Sequence, residues 1–544
     1  MILSSSLSYS HSVPGDGPED APIVLLIDCP ATSDEYTGRP LSGATGQVYL
    51  SQFRKAGIPR RLIRIESVCE HTIEGSIGGI YGKSLSKFYR LDSAERDYWR
   101  ANATKRLLDL EPKIIIPAGN EALTLVTGKK SLSKWHLSPL TSKGVFSECF
   151  TLPLLDPHYI AKKMGELPFV TLGAEIVKSF LDHGHNPVAR NFIVKPSPDE
   201  AIAWIDNALE KGEWLSADIE TGMGQITCIG FSIDPREAIC IPTLPRNFDS
   251  PEDFFRVWQA IAKLLESSLK KTGQNLFYDA TYLSAYGIRV LNIIHDTMVA
   301  NKYIYPEFSK GLDTVNRLFV GEPYWKDEAK DWTARQNPEE LYIYNCKDAA
   351  CTLQATFAQI QELISQGLYN SFIELAMDLW SPAAEMCWTG LPVRKETRER
   401  LRVETTEEII KWTKILDSEA DTTMGKPVNQ KSPKQVKEFL RYLGFKIPIK
   451  KGKESSDYES LLKLQLKAPE SKPIKALIKL SKLQKRLSSY LSYRFDETTS
   501  RMHSALYISS TETGRWSGGT DAWDRGINIE TIPGEVKEQF GYDK

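Results

Sequence analysis

Two acids one residue apart, Asp218 and Glu220, sit inside a stretch that otherwise reads as a strand, Leu215 to Glu220. Gly222-Met223-Gly224 then leads into a second β-rich run, Gln225 to Ile233. Strand side chains alternate with period two, so Asp218 and Glu220 project from the same face. Neighbouring anions repel each other and are costly to desolvate. A divalent cation offsets that cost, which makes the pair a candidate metal site. A solvated strand end is the alternative, and the rest of the chain has to decide between them.

At 544 residues the chain is too long for one core, and about three domains are expected. The hydrophobic fraction of 41% and charged fraction of 25% fit a soluble globular protein. The formal net charge is −2, so any nucleic-acid-binding surface has to be local. Eight scattered cysteines form no CxxC pair, which argues against a zinc ribbon, an iron–sulfur cluster or a disulfide framework and favours a reducing cytosol. No apolar run approaches the roughly 18–20 residues of a membrane span, so no membrane partner is expected.

The first segment, 1–185, alternates strands and helices. Ile23 to Ile27, Leu62 to Val68 and Lys113 to Pro117 read as strands; Val48 to Ala56, Ser93 to Leu110 and the residues from Gly119 to Leu125 have helical spacing. That alternation predicts a parallel α/β sheet. Cys29 to Gly46 reads as a Gly/Pro-punctuated loop, either a plain turn or a loop close to a phosphate or base. His183 to Arg190 reads as a linker, in which two histidines at i and i+2 are better explained as a solvated loop than as a chelate.

The loop resembles that of the iron–sulfur-containing uracil-DNA glycosylases, with Asp34, Glu35, Gly38, Pro40, Gly43 and Gly46 in matching places. Glu111 to Ala122 is similar to that family's second half. Ile27 and Asp28 stand where the family has the first glycine and acid, Asp156-Pro157-His158 replaces its His-Pro-Ser, and the cluster cysteines are missing. A base pocket loses much when its polar partners change. The resemblance therefore implies a retired glycosylase-like fold that binds DNA or a partner.

In the second segment, 186–365, Asn275 and Asp279 bracket an apolar turn after a helix expected from Pro251 to Leu269. His295 and Asp296 open a helix, with Asp296 as its N-cap. Pro338 to Leu353 reads as one long helix on which Tyr344 and Asp348, four apart, share a face. Together these stretches resemble the three motifs of the DnaQ-like 3′–5′ proofreading exonucleases, in order, across about 130 residues. The resemblance implies a ribonuclease H-like mixed sheet with helices. It implies Asp218, Glu220, Asp279 and Asp348 as ligands of two Mg²⁺ or Mn²⁺ ions, hard cations that prefer carboxylate oxygen. Tyr344 would orient the attacking water, and Asn275 would contact DNA.

The third segment, 366–544, reads as mostly helical: Ser371 to Gly390, Lys395 to Met424 and Ile474 to Tyr490. From Gly425 to Arg494 there are 18 Lys or Arg against 5 Asp or Glu, a one-signed excess that suits a phosphate backbone. Val428 to Gln435, Leu480 to Leu491, His503, Thr513 to Ser517 and Asn528 to Pro533 resemble elements of family A DNA polymerases. By position, Arg486, His503, Thr513, Arg515 and Asn528 would contact primer–template DNA. The family's palm carboxylates and fingers helix find no match before Lys544. The reading that follows is α/β plus α: a glycosylase-like domain, an exonuclease domain and a polymerase thumb with the start of a palm. It implies a phage-type protein in the bacterial cytoplasm, with palm and fingers on a separate chain. A non-catalytic primer–template clamp and a uracil-repair fusion stay open as alternatives.

Overall fold

The computed structural model describes residues 12–73, 88, 91–184, 188–327, 338–450, 452–508, 511 and 513–541. His185 of the linker and the terminal Tyr542 to Lys544 lie outside them. The chain forms two compact units, 1–279 with 287–370, and 280–286 with 371–544.

The first unit holds two sheets. The first is ordered β2-β1-β3-β5-β4, from β1 (Ile23–Ile27), β2 (Ile63–Ser67), β3 (Ile114–Pro117), β4 (Leu140–Thr141) and β5 (Phe150–Thr151). All its pairings are parallel except β4 with β5. Period-two alternation explains why β1 is apolar throughout. Ile23, Leu25 and Ile27 join Tyr49, Phe53, Val170 and Val177 in one core, while Val24 and Leu26 join Trp99, Ala103 and Leu107 in another. A strand covered by helices on both faces has no solvent side.

The second sheet is ordered β11-β10-β7-β8-β9-β6: β6 (Asn191–Val194), β7 (Trp214–Gly222), β8 (Gln225–Asp234), β9 (Glu237–Pro242), β10 (Lys270–Gly273) and β11 (Ile293–Asp296). β7, β8 and β9 run antiparallel in sequence; β10 is parallel to β7 and to β11, and β6 is parallel to β9. This is the mixed sheet the exonuclease resemblance implies. The helix Pro338–Ser365 lies on one face, where Leu341, Tyr342, Cys346 and Ala350 pack with Cys228, Ala238 and Cys240. On the other face Trp204, from the helix Pro198–Lys211, stacks on Phe231 at 6.4 Å between ring centroids.

The second unit is mostly helical. Helices Lys395–Met424, Pro433–Tyr442, Tyr458–Lys467 and Lys472–Lys485 bury Leu416, Phe439, Leu440, Leu461, Ile474 and Leu480 together. Strands Ser504–Tyr507 and Ser517–Thr520 pair antiparallel.

The structure corrects several expected elements. Cys29 to Gly46 is not a plain loop, since it holds the short helix Thr32–Thr37 and the start of the helix Ala44–Lys55. The buried Asp34 carboxylate makes this possible by accepting the backbone N–H groups of Ala31, Leu41 and Ser42. The helix expected from Ser371 widens into a π turn at Ile373–Met377, upstream of Pro382, which has no N–H for the carbonyl of Asp378. The helix expected to run to Tyr490 ends at Lys485 and continues as a π turn, Arg486–Leu491. His295 does not open a helix; it lies within β11 as a buried residue bonded to Gln359.

Candidate active site

β7 brings the two half-buried acids up beside the buried Asp348. In the β7–β8 register Asp218 faces Gly230 and Glu220 faces Cys228, and that face of the sheet carries the long helix. Gly230 is what lets the helix come close. A Cβ there would stand 2.6 Å from Asn345 Oδ1 and 2.9 Å from the Asn345 carbonyl oxygen. Asn345 is thereby held against the sheet, and one helical turn places Tyr344 and Asp348 over the acids.

Ligand oxygens of Asp218, Glu220 and Asp348 all lie within 4.8 Å of one another. Asp279, expected as a fourth ligand, stands outside that group. It lies on the helix Leu276–Ala285, and its Oδ1 accepts the Ile219 N–H at 2.8 Å. A carboxylate bonded to the backbone of β7 beside the cluster braces the strand as well as adding charge. Asn275 precedes it with φ +57°, the left-handed conformation that Asn tolerates best after Gly. Asp296 fixes this turn, accepting Leu276 N–H at 2.8 Å and Met298 N–H at 2.9 Å, so the N-cap expectation holds.

Two contacts escaped the sequence reading. The Asn345 amide donates to Asp218 Oδ2 at 2.7 Å, and its Oδ1 accepts Cys240 Sγ–H at 3.2 Å. Trp325 Nε1–H donates to Asp348 Oδ1 at 2.6 Å. Asn345 was findable, being one residue from Tyr344 on the same helix. Trp325 carries no local signal.

Crowded acids largely shielded from solvent hold protons. Burial first, then the charges of Asp348, Asp279 and Glu220, pushes Asp218 well above the usual carboxylate range. Burial and the charges of Asp348 and Asp279 push Glu220 up to about 8. Burial raises Asp279 to about 7 and Asp348 to about 6, the latter restrained by hydrogen bonds from Trp325 and Tyr344. The Tyr344 hydroxyl is raised as well, by burial and by Asp348, so it stays protonated and donates. An all-oxygen set with this much mutual repulsion fits a hard divalent cation.

Residues 194–365 match a family described as 3′–5′ exonuclease. That stretch of the chain is similar to a 3′–5′ exonuclease domain. It is 26% identical over 365 residues to DNA polymerase I of Borreliella burgdorferi, covering 65% of this chain and 38% of the relative. It is also 26% identical over 289 residues to DNA polymerase I of Rhizobium leguminosarum, covering 51% of this chain and 27% of the relative. The chain thus spans well under half the length of these relatives. In fold it is similar to the POL domain of Pol1 from M. smegmatis in complex with DNA primer-template and dNTP. That likeness has a TM-score of 0.50 and 18% identity, covering 65% of this chain and 59% of the other.

The remaining expected DNA contacts belong to the second unit. Thr513 and Arg515 are exposed on the connection between its two paired strands. His503 Nδ1 faces the Cys387 carbonyl at 3.1 Å, and Asn528 Oδ1 accepts the Glu530 N–H at 3.0 Å. Arg486 lies 3.8 Å from Glu535. A groove of about 670 Å³ in the same unit is lined by Gln430, Lys431, Ser481, Lys485 and Ser488. No described helix is long and apolar enough to cross a membrane.

Proposed function

We propose that this chain trims DNA from the 3′ end, as the proofreading nuclease of a family A DNA polymerase in DNA replication. The observation that carries it is the trio Asp218, Glu220 and Asp348 under Tyr344. These three, with Asp279 beside them, would hold Mg²⁺ or Mn²⁺, two ions in the family's pattern. Bound there, such ions supply positive charge to the entering and departing oxygens of phosphodiester hydrolysis. The chain's own groups do the rest. Asn345 fixes the Asp218 carboxylate, Trp325 fixes Asp348, and Tyr344, a neutral donor bonded to Asp348, orients the attacking water. Asn275 would contact the strand being shortened. Arg486, His503, Thr513, Arg515 and Asn528 would hold primer–template DNA, helped by the basic 425–494 stretch.

The first sheet supports a scaffold or DNA-binding role over uracil excision. Asp28 Oδ1 already accepts the N–H groups of Glu121 and Ala122 at the start of the helix Asn120–Thr127, both at 2.9 Å. Asp156 likewise caps the helix Pro157–Lys162. Asp28, Asp34 and Asp156 are thus engaged by backbone N–H groups, and Glu35 accepts the Thr72 hydroxyl.

One product analysis separates the readings, with single-stranded DNA labelled at either end, with and without uracil. Mononucleotides released first from the 3′ label, abolished by chelator, support the nuclease. DNA binding without release supports a clamp, and abasic sites at uracil support a repair fusion; either would overturn the proposal.

A further inference from the structure

Among the described residues, Trp325 is a contact to the carboxylate cluster whose position its own backbone does not explain. It sits between the helix Leu312–Phe319 and Asp327, in a stretch without regular structure, yet its indole is only 7% exposed. A buried indole N–H needs an acceptor, and here it takes Asp348 Oδ1 at 2.6 Å. The neighbours of Trp325 are tied down from two sides. From the exonuclease domain, Asn316 Nδ2 donates to the Glu322 carbonyl at 2.9 Å, and Arg190 lies 3.3 Å from the Glu322 carboxylate.

The other ties come from the first sheet's domain, at the helical turn Leu132–Trp135. Trp135 meets Tyr324 edge-to-face at 5.4 Å, Lys134 Nζ stands 5.1 Å from the Tyr324 ring, and Lys134 pairs with Asp327. The buried Arg317 closes the same seam, donating to the Lys134 carbonyl at 2.7 Å and lying 3.3 Å from His136 Nε2. The cavity left there, lined by Ser138, Asn316, Arg317 and Trp325 among others, is about 10 Å³, room for no more than about one water. So tight a seam leaves Tyr324 and Trp325 little freedom to shift independently of Lys134 and Trp135.

We propose that Trp325 is a positioning residue for the metal-binding carboxylates, and that the N-terminal α/β domain sets its place through Lys134 and Trp135. The proposal rests on the exonuclease reading. It gives the glycosylase-like layer a role in nuclease action that needs no chemistry of its own. Outer partners of ligating carboxylates typically change metal affinity by about 10- to 100-fold when removed.

The test uses the full chain and Mn²⁺ as probe. Mn²⁺ affinity is read by calorimetry, melting temperature by scanning, and trimming of 3′-labelled single-stranded DNA as a function of Mn²⁺. Trp325→Phe keeps the ring and removes the donor. At a melting temperature within a few degrees of wild type, it is expected to weaken Mn²⁺ binding about tenfold or more, with KM for DNA unmoved. Trp135→Ala is expected to shift Mn²⁺ binding in the same direction, and the double variant to be no worse than Trp325→Phe alone.

Unchanged Mn²⁺ affinity in Trp325→Phe overturns the positioning role. Additive losses overturn the route through the N-terminal domain. If Trp325→Phe melts far below wild type, Trp135→Ala carries the test, and an unchanged Mn²⁺ affinity there overturns the proposal. A wild type that neither binds Mn²⁺ nor trims DNA overturns the exonuclease reading itself, an outcome distinct from an active wild type with indifferent variants.

Discussion

Glu220 and Asp279 sit, like Asp218, in an environment that opposes their charge. Glu220 is pushed from 4.5 to about 8 and Asp279 from 3.8 to about 7, in both cases chiefly by burial. The folded state therefore holds protons that the unfolded chain releases, and stability falls as pH rises between about 4 and 8. In chelator, the melting temperature is expected to drop from pH 6 to pH 8.5, and Asp218→Asn to flatten that drop. Added Mg²⁺ should stabilise more at pH 8 than at pH 6, with release of protons measurable by calorimetry in buffers of different ionisation heat. Equal stabilisation at both pH values would count against a metal site here. Asn275 offers a separate backbone test. Its φ of +57° should make Asn275→Ala cost about 1 kcal/mol or more in chemical denaturation, while Asn275→Gly stays near neutral.

The approach of the helix Pro338–Ser365 to β8 depends on one missing Cβ. Gly230→Ala should force Asn345 away from Asp218, cost about 1–3 kcal/mol and lower trimming by at least about tenfold with the circular dichroism unchanged. A fully active Gly230→Ala would show that the helix has room to spare. How legible these elements were follows from their physics. β1, β7 and the helix Lys395–Met424 were readable because burial on both faces, a patterned pair of acids and a Gly425 stop leave local marks. β10 was not. Its sequence is Lys270-Lys-Thr-Gly273, yet it lies between β7 and β11 with Lys271 fully buried and bonded to Ser267. Tertiary pairing overrode its composition. The site followed the same division. Asp218, Glu220, Tyr344 and Asp348 announced themselves by spacing, whereas Trp325 reaches Asp348 only through the folded seam. Asp279, legible as a carboxylate, turned out to bond the Ile219 N–H.

At the scale of the molecule, one unit carries a compact carboxylate cluster, and the other carries the stretch 425–494 with 18 Lys or Arg against 5 Asp or Glu. DNA affinity should therefore be salt-sensitive while metal binding is much less so, because exposed lysines are screened and buried carboxylates are not. Replacing Lys431 and Lys485 in the groove of the second unit is expected to reduce the slope of log K against log salt by about one per lost phosphate contact. An unchanged slope would place the DNA elsewhere. The family resemblance gave the first sheet's domain a glycosylase-like identity, but Asp28 and Asp156 cap helices there and the helical turn Leu132–Trp135 packs against the segment that holds Trp325. The most direct measurement is the rate at which nucleotides leave the 3′ end of labelled single-stranded DNA in Mg²⁺, for wild type and for Asp218→Ala. Metal-dependent release by the wild type, reduced by at least about 100-fold in Asp218→Ala, is the expected result. Equal rates in the two proteins, or no release by the wild type, would mean that the carboxylate cluster is not a nuclease site.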